Sequence, residues 1–242
     1  MSHFDPRHRN CPLSRRELIL SMAGAAYAAG AAETRRIPPE SEVARDPHLA
    51  ALLRKVRDLG AKHDTAGLEA LMLPEFKVEF DSGKGPAAFR HRWHSDSDSS
   101  RLWAVLDRLF SLGGTFYSDT LFAVPYVYTK FPADLDLLGH VVVVKAGARV
   151  LDKPSPDGAA IATLDYNILP LAQKLEPPVM ITTGRYLEVK WPGAAGRSFV
   201  AEADIYSPVA HRAFFEKHKD GWRWITLVSA TLAEPPGLHQ AR

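Results

Sequence analysis

The sequence predicts an α+β protein: a helical N-terminal module, then a small antiparallel β-barrel, closing with a β-hairpin. Three observations predict it. In the first half, Leu49, Leu52, Leu53, Val56 and Leu59 fall at i, i+3, i+4, i+7 and i+10, one helical stripe facing a core. From Gly139 the texture changes to short β-branched runs separated by turn residues at small, regular spacing, as in a small antiparallel barrel. Near the end, Asp220-Gly221 stands between two strand-like segments, His211 to Lys217 and Trp222 to Val228. Asp-Gly in that position is the strongest short-range hairpin signal.

Composition bounds the rest. A chain of 242 residues makes one large domain or two small ones. Hydrophobic residues are 46% and charged residues 24%, which excludes a disordered chain, and a single cysteine excludes a disulfide scaffold. Lys+Arg at 30 against Asp+Glu at 28 gives +2, which offers no broad basic field for nucleic acid. Outside the N-terminus no run of apolar residues is long enough for a membrane span.

Residues 1–31 are laid out as an export signal. A basic segment with Arg15 and Arg16 precedes a weakly apolar stretch, Leu18 to Ala32, rich in Ala and Gly. Ala26-Tyr27-Ala28 and Ala29-Gly30-Ala31 place small side chains where a signal peptidase reads them. The run Ser14-Arg15-Arg16-Glu17-Leu18 resembles a twin-arginine (Tat) signal, with Glu17 at the variable position and Leu20 where a lysine is common. The resemblance implies the Tat translocase as a partner during export, a periplasmic location and no membrane span after processing. The alternative for this segment is an uncleaved anchor or an Ala-rich amphipathic helix. Cleavage would remove Arg7, Arg9, Arg15 and Arg16 against Asp5 and Glu17, leaving 26 residues of each sign. Cys11 would leave too, so the mature chain would have no thiol for nucleophilic catalysis, metal ligation or disulfides.

The body divides into a Pro38-Pro39-containing solvated linker (33–46), an α+β module (47–137), a barrel (138–207) and the hairpin (208–230). Within the first module, Asp64 or Thr65 caps a second helix with Leu68, Leu71 and Met72 inward, ended by Pro74. Phe76 to Phe80 alternates as a half-buried strand. Gly85-Pro86 opens a helix carrying Phe89 and Trp93. The Ser95–Ser100 run breaks it and caps another, with Leu102, Leu106, Leu109 and Phe110, which Gly113-Gly114 ends. Leu121 to Tyr128 reads as a strand, with Pro125 marking an edge or bulge. In the hairpin, alternation puts Trp222, Trp224 and Val228 on one face and Ile225 and Leu227 on the other. Two apolar faces need a sheet or helix to pack on. The hairpin therefore either completes the sheet of the 47–137 module, making the barrel an insertion, or extends the barrel.

Two family resemblances follow from these residues. Val150-Leu151-Asp152-Lys153-Pro154-Ser155-Pro156-Asp157-Gly158, the strand Ala159 to Leu164, Tyr186-Leu187-Glu188-Val189 and Gly196-Arg197-Ser198-Phe199-Val200 together resemble a bacterial SH3-like (SH3b) domain. Leu151 and Ser198 depart from the family's usual Arg and Gly. The resemblance implies binding of cell-wall peptides or glycans between loops, with Tyr166, Tyr186, Trp191 and Tyr206 as candidate groove residues. The hairpin segments Arg212-Ala213-Phe214-Phe215-Glu216 and Gly221-Trp222-Arg223-Trp224-Ile225 resemble the closing strands of cystatin-like, nuclear-transport-factor-like α+β domains. Such domains often enclose a cavity, and Trp93, Phe116, Tyr126 and Tyr128 are the candidates to line one.

Signals of chemistry are sparse. His91 and His94 lie three apart, with Asp96 and Asp98 following, a weak candidate for a zinc or copper site. Glu79 and Asp81 share a strand face at the spacing of an acid–base pair, although alternation alone puts charges outward there. No nucleophile elbow, phosphate loop or dinucleotide fingerprint occurs, so no catalytic residue and no cofactor is assigned. The expected function is an exported, non-catalytic binding protein of the cell envelope, engaging peptidoglycan, a peptide or a protein partner. The alternatives are a cystatin-like small-molecule-binding, hydrolase- or isomerase-type enzyme, and a purely structural envelope protein.

Overall fold

The computed structural model describes residues 35–78, 83–175 and 186–228. Helix α1 (Pro47–Ala61) starts at Asp46, whose carboxylate accepts the His48 and Leu49 N–H groups at 3.0 and 3.2 Å. It buries Leu49, Leu53 and Val56. Helix α2 (Thr65–Glu69) is capped by Asp64, which accepts the Gly67 N–H. The expected continuation of this helix to Pro74 does not form. Met72–Lys77 is strand β1, because its backbone pairs in parallel with a strand near the C-terminus. Pro74 is tolerated since β1 lies at the edge of its sheet.

Helices α3 (Gly85–Trp93) and α4 (Arg101–Ser111) follow, the latter capped by Ser100. Strands β2 (Thr115–Ser118) and β3 (Leu121–Val124) pair antiparallel. The strand expected to reach Tyr128 stops at Val124. Pro125 has no N–H to extend a ladder, its peptide bond with Val124 is cis, and Tyr126–Lys130 turns into a short helix, α5.

The next strands are β4 (His140–Val143), β5 (Ala148–Leu151), β6 (Ala160–Leu164), β7 (Ile168–Pro170), β8 (Tyr186–Val189), β9 (Ser198–Ala201) and β10 (Ile205–Tyr206). The hairpin strands are β11 (Arg212–His218) and β12 (Gly221–Val228). The main sheet has the order β1-β12-β11-β3-β2, so the hairpin supplies two of its three interior strands. A bulge decides the hairpin's faces. Phe214 faces Thr226 while Phe215 faces Trp224, leaving Ile225 as the extra residue. The alternation therefore resets: Leu227 joins Trp222 and Trp224 on the helix side, and Val228 joins Ile225 and Phe214 on the other. Simple period-2 counting assigns Leu227 and Val228 the wrong way round.

Between the helices and the sheet, Phe76, Phe89, Phe215 and Trp224 are all fully buried. Their rings meet at 5.3–6.0 Å, edge to face except for the stacked Phe215–Trp224 pair. These rings fill the space between α3 and the sheet.

The described residues of 138–206 form two antiparallel sheets, β10-β4-β7 and β6-β5-β9-β8, around a shared core of Val141, Val143, Val150, Leu164, Leu169 and Val200. The expected closed barrel is not drawn by the ladders. Strands β7 and β10 are three and two residues long, too short to carry pairing around, and among the described residues the sheets join at the Leu171–Val189 bridge and its neighbouring hydrogen bonds. The four-valine run has a further role. Val141 and Val143 face the small core, whereas Val142 and Val144 face the other way, into the core of the helical module with Ile37, Ile168 and Tyr206. Both faces of β4 are buried, hence an unbroken apolar run instead of alternation.

Residues 35–46 are a strap and not a free linker. Arg36 bridges to Asn167, and Ile37 N–H donates to the Tyr166 carbonyl at 2.8 Å. Glu42 N–H donates to Gly114 O, and the Phe116 N–H donates to the Glu42 carboxylate at 2.8 Å. At its end, Asp46 also accepts from Trp222 Nε1 at 2.9 Å and Lys217 Nζ at 3.0 Å. The Trp222 and Lys217 bonds, with the helix-cap N–H groups, hold its carboxyl well below the usual range. A lowered acid pKa stabilises the fold above the unfolded value near ~3.9, and this contribution is lost as pH falls below that towards the folded value. Asp46→Ala is expected to cost about 1–2 kcal/mol at neutral pH. In urea titrations the difference from wild type should shrink below about pH 4. A pH-independent difference would contradict the charged cap.

Candidate functional site

The aromatic residues expected to line a groove on the small module are dispersed. Tyr206 is buried between the modules and its hydroxyl donates to the His211 carbonyl at 2.8 Å. Tyr166 is half-buried with φ +60°, next to the strap. Tyr186 opens β8 and Trp191 follows it, both half-buried, with Trp191 packed on the small core. Tyr186 lies at the start of the sheet-edge strand β8 and Trp191 just past its end.

The four candidate cavity residues do not converge either. The Trp93 ring lies 5.6 Å from that of His211. Phe116 sits on the helix side, against Phe122 and Trp222, with the Arg45 guanidinium 4.8 Å above it. Tyr126 is fully buried and its hydroxyl donates to Ile37 O; burial first, then nearby Tyr166, pushes its pKa up to about 12. Tyr128 belongs to the opposite face of the sheet. It packs on Phe214 and under Arg212, a buried guanidinium that donates to the Pro208 carbonyl and whose pKa burial lowers. Trp93 on α3, Phe116 on β2, and Tyr126 and Tyr128 on α5 belong to different elements.

His91 and His94 rim an open groove of about 760 Å³ with Glu69, Arg90 and Asp96. Their rings are 6.3 Å apart. Arg90 is engaged by Glu69 and Asp96. Among the described residues no cluster of three His, Cys, Asp or Glu side chains is arranged to hold a metal ion. Arg15, Arg16, Glu79 and Asp81 lie outside the described residues.

A second groove, which sequence reasoning missed, runs between α1 and α4 and holds about 610 Å³. Gly60, Ala61 and Ala104 keep the helices close there without filling the space. Trp103 forms the floor and donates its indole N–H to the Ser97 carbonyl at 3.0 Å. His63 lies flat on it, with ring centroids 4.6 Å apart and planes 7° from parallel, and its Nδ1 is 3.2 Å from Asp98. His63 occupies the left-handed position after α1, φ +54°, where its N–H donates to Gly60 O and that of Asp64 to Leu59 O. Glycine is the usual residue in this helix-ending motif. A histidine just past a helical stripe, where glycine belongs, was the legible signal.

No family model matches. No curated protein matches either. Among solved structures, the chain is similar to an NTF2-like protein with a cystatin-like fold from Novosphingobium aromaticivorans, at 10% identity and a TM-score of 0.30. The alignment covers 94% of this chain and 96% of that one. At this likeness the α+β fold rests on the strand pairings described above. Among the described residues no helix is long and apolar enough to cross a membrane.

Proposed function

We propose that the protein is exported by the twin-arginine route and acts in the periplasm as a non-catalytic binding protein. In this reading residues 138–207 are an SH3-like module that engages peptidoglycan, a peptide or an envelope protein. They are inserted between the strands of a cystatin-like, nuclear-transport-factor-like module. The observation that carries binding over enclosed chemistry is the filled interior. Phe76, Phe89, Phe215 and Trp224 occupy the space between sheet and helices where a small-molecule cavity would lie. Recognition then belongs to the outer surface, and on the small module Tyr186 and Trp191, like Tyr166 beside the strap, are aromatic groups left half-exposed there. Aromatic rings with one wet face suit sugar and peptide contacts.

The test is co-sedimentation of the full mature chain with purified sacculi. Retention is expected, and the Tyr186→Ala/Trp191→Ala double variant should lose most of it, about tenfold in affinity. If the wild-type chain stays in the supernatant, wall binding is wrong.

A further inference from the structure

The α1–α4 groove has features that a packing role leaves unexplained. Arg54, Arg57 and Asp58 project from one face of α1, at i, i+3 and i+4, and Asp107 projects from α4 opposite. All four are exposed, and none forms an ion pair or side-chain hydrogen bond with another described residue. In the His91–His94 groove, by contrast, the central arginine is already taken by two carboxylates. Charges of both signs therefore line one concavity without neutralising each other. The floor beside them is held rigid: Trp103 is anchored through its indole N–H, and His63 is fixed by stacking and by Asp98. The backbone holds a histidine in a left-handed conformation that glycine would adopt without strain. The ring at that position therefore stands where the backbone favours glycine.

We propose that this groove is a binding site for a small zwitterion of the amino-acid or short-peptide class. Arg54 and Arg57 take its carboxylate, Asp58 and Asp107 take its ammonium, and the His63–Trp103 stack supports its body. Guanidinium groups match carboxylates by paired hydrogen bonds, and carboxylates accept from an ammonium. A purely anionic ligand would meet Asp58 and Asp107, and a purely cationic one would meet both arginines, so only a ligand carrying both charges satisfies the lining. The site does not depend on whether the small module engages the cell wall.

The test is a two-dimensional NMR titration of the full ¹⁵N-labelled chain with dialanine, N-acetyl-dialanine and dialanine amide. Dialanine is expected to give saturable shifts at the Trp103 indole N–H and the Ala61 and His63 amides. Each blocked derivative should bind about tenfold more weakly. Arg54→Ala should abolish the preference for dialanine over its amide, and Asp107→Asn the preference over the N-acetyl form. His63→Gly is expected to keep or raise the melting temperature while weakening dialanine about tenfold. Absence of saturable shifts at these positions, or equal binding of the three probes, overturns the proposal. A lowered melting temperature with unchanged binding in His63→Gly would reduce that ring to packing.

Discussion

Trp224→Ala is expected to remove about 3–5 kcal/mol of stability, the range for emptying a buried aromatic site. Trp224 lies on β12, the strand between β1 and β11, and its ring contacts Phe76, Phe89 and Phe215. Its indole N–H donates to the Thr226 carbonyl at 3.0 Å, so truncation opens a large void and also frees a buried acceptor. The surrounding rings belong to α3, β1 and β11, and they cannot collapse into the gap without moving whole elements. Trp224→Phe keeps most of the ring and should cost about half as much. Guanidinium titration followed by far-ultraviolet circular dichroism measures both. A loss below about 1 kcal/mol for the alanine variant would mean that the hairpin is peripheral to the N-terminal sheet.

That core shows which parts of the fold the sequence makes legible. The helical stripe of α1, its Asp46 cap and the Asp-Gly hairpin turn are local signals, and local chemistry determines them. Three features depend on partners far along the chain. Met72 looks like the end of a helix until its parallel pairing with Trp224 makes it a strand. Leu227 and Val228 exchange faces because of a bulge at Ile225 that only the pairing of β12 with β11 reveals. The four valines of β4 announce burial without saying that two different cores share them. The candidate site was less legible still. Residue type marks aromatic side chains but not the elements that carry them, and Trp93 on α3, Phe116 on β2, Tyr126 and Tyr128 on α5, and Tyr206 between the modules face different surroundings. The α1–α4 groove escaped because it is made by what is missing at Gly60, Ala61 and Ala104, and small residues read as ordinary helix. Only His63, a side chain at a glycine-favouring position, marked it.

Val142→Asp should be the most damaging single change, more than about 4 kcal/mol, because it buries a carboxylate among apolar side chains. Val142 is fully buried, opposite Ile168 on one side and Tyr206 on the other, and faces the helical module. It is where the chain's two cores are welded together. In the wild-type protein this shared surface should make unfolding a single transition, with circular dichroism and tryptophan fluorescence coincident. Val142→Ala keeps the interface dry and should cost only about 1–2 kcal/mol, with the transitions still coincident. Arg149→Asp, on an exposed position of β5, supplies the control for an added negative charge and should change stability by less than about 0.5 kcal/mol. The decisive comparison is between Val142→Asp and Arg149→Asp. Equal, small effects would mean that the small module hangs on the larger one by its connections alone. A large loss confined to the buried position would show that one continuous apolar surface, running from Ile37 through β4 to Tyr206, makes the two modules fold as one.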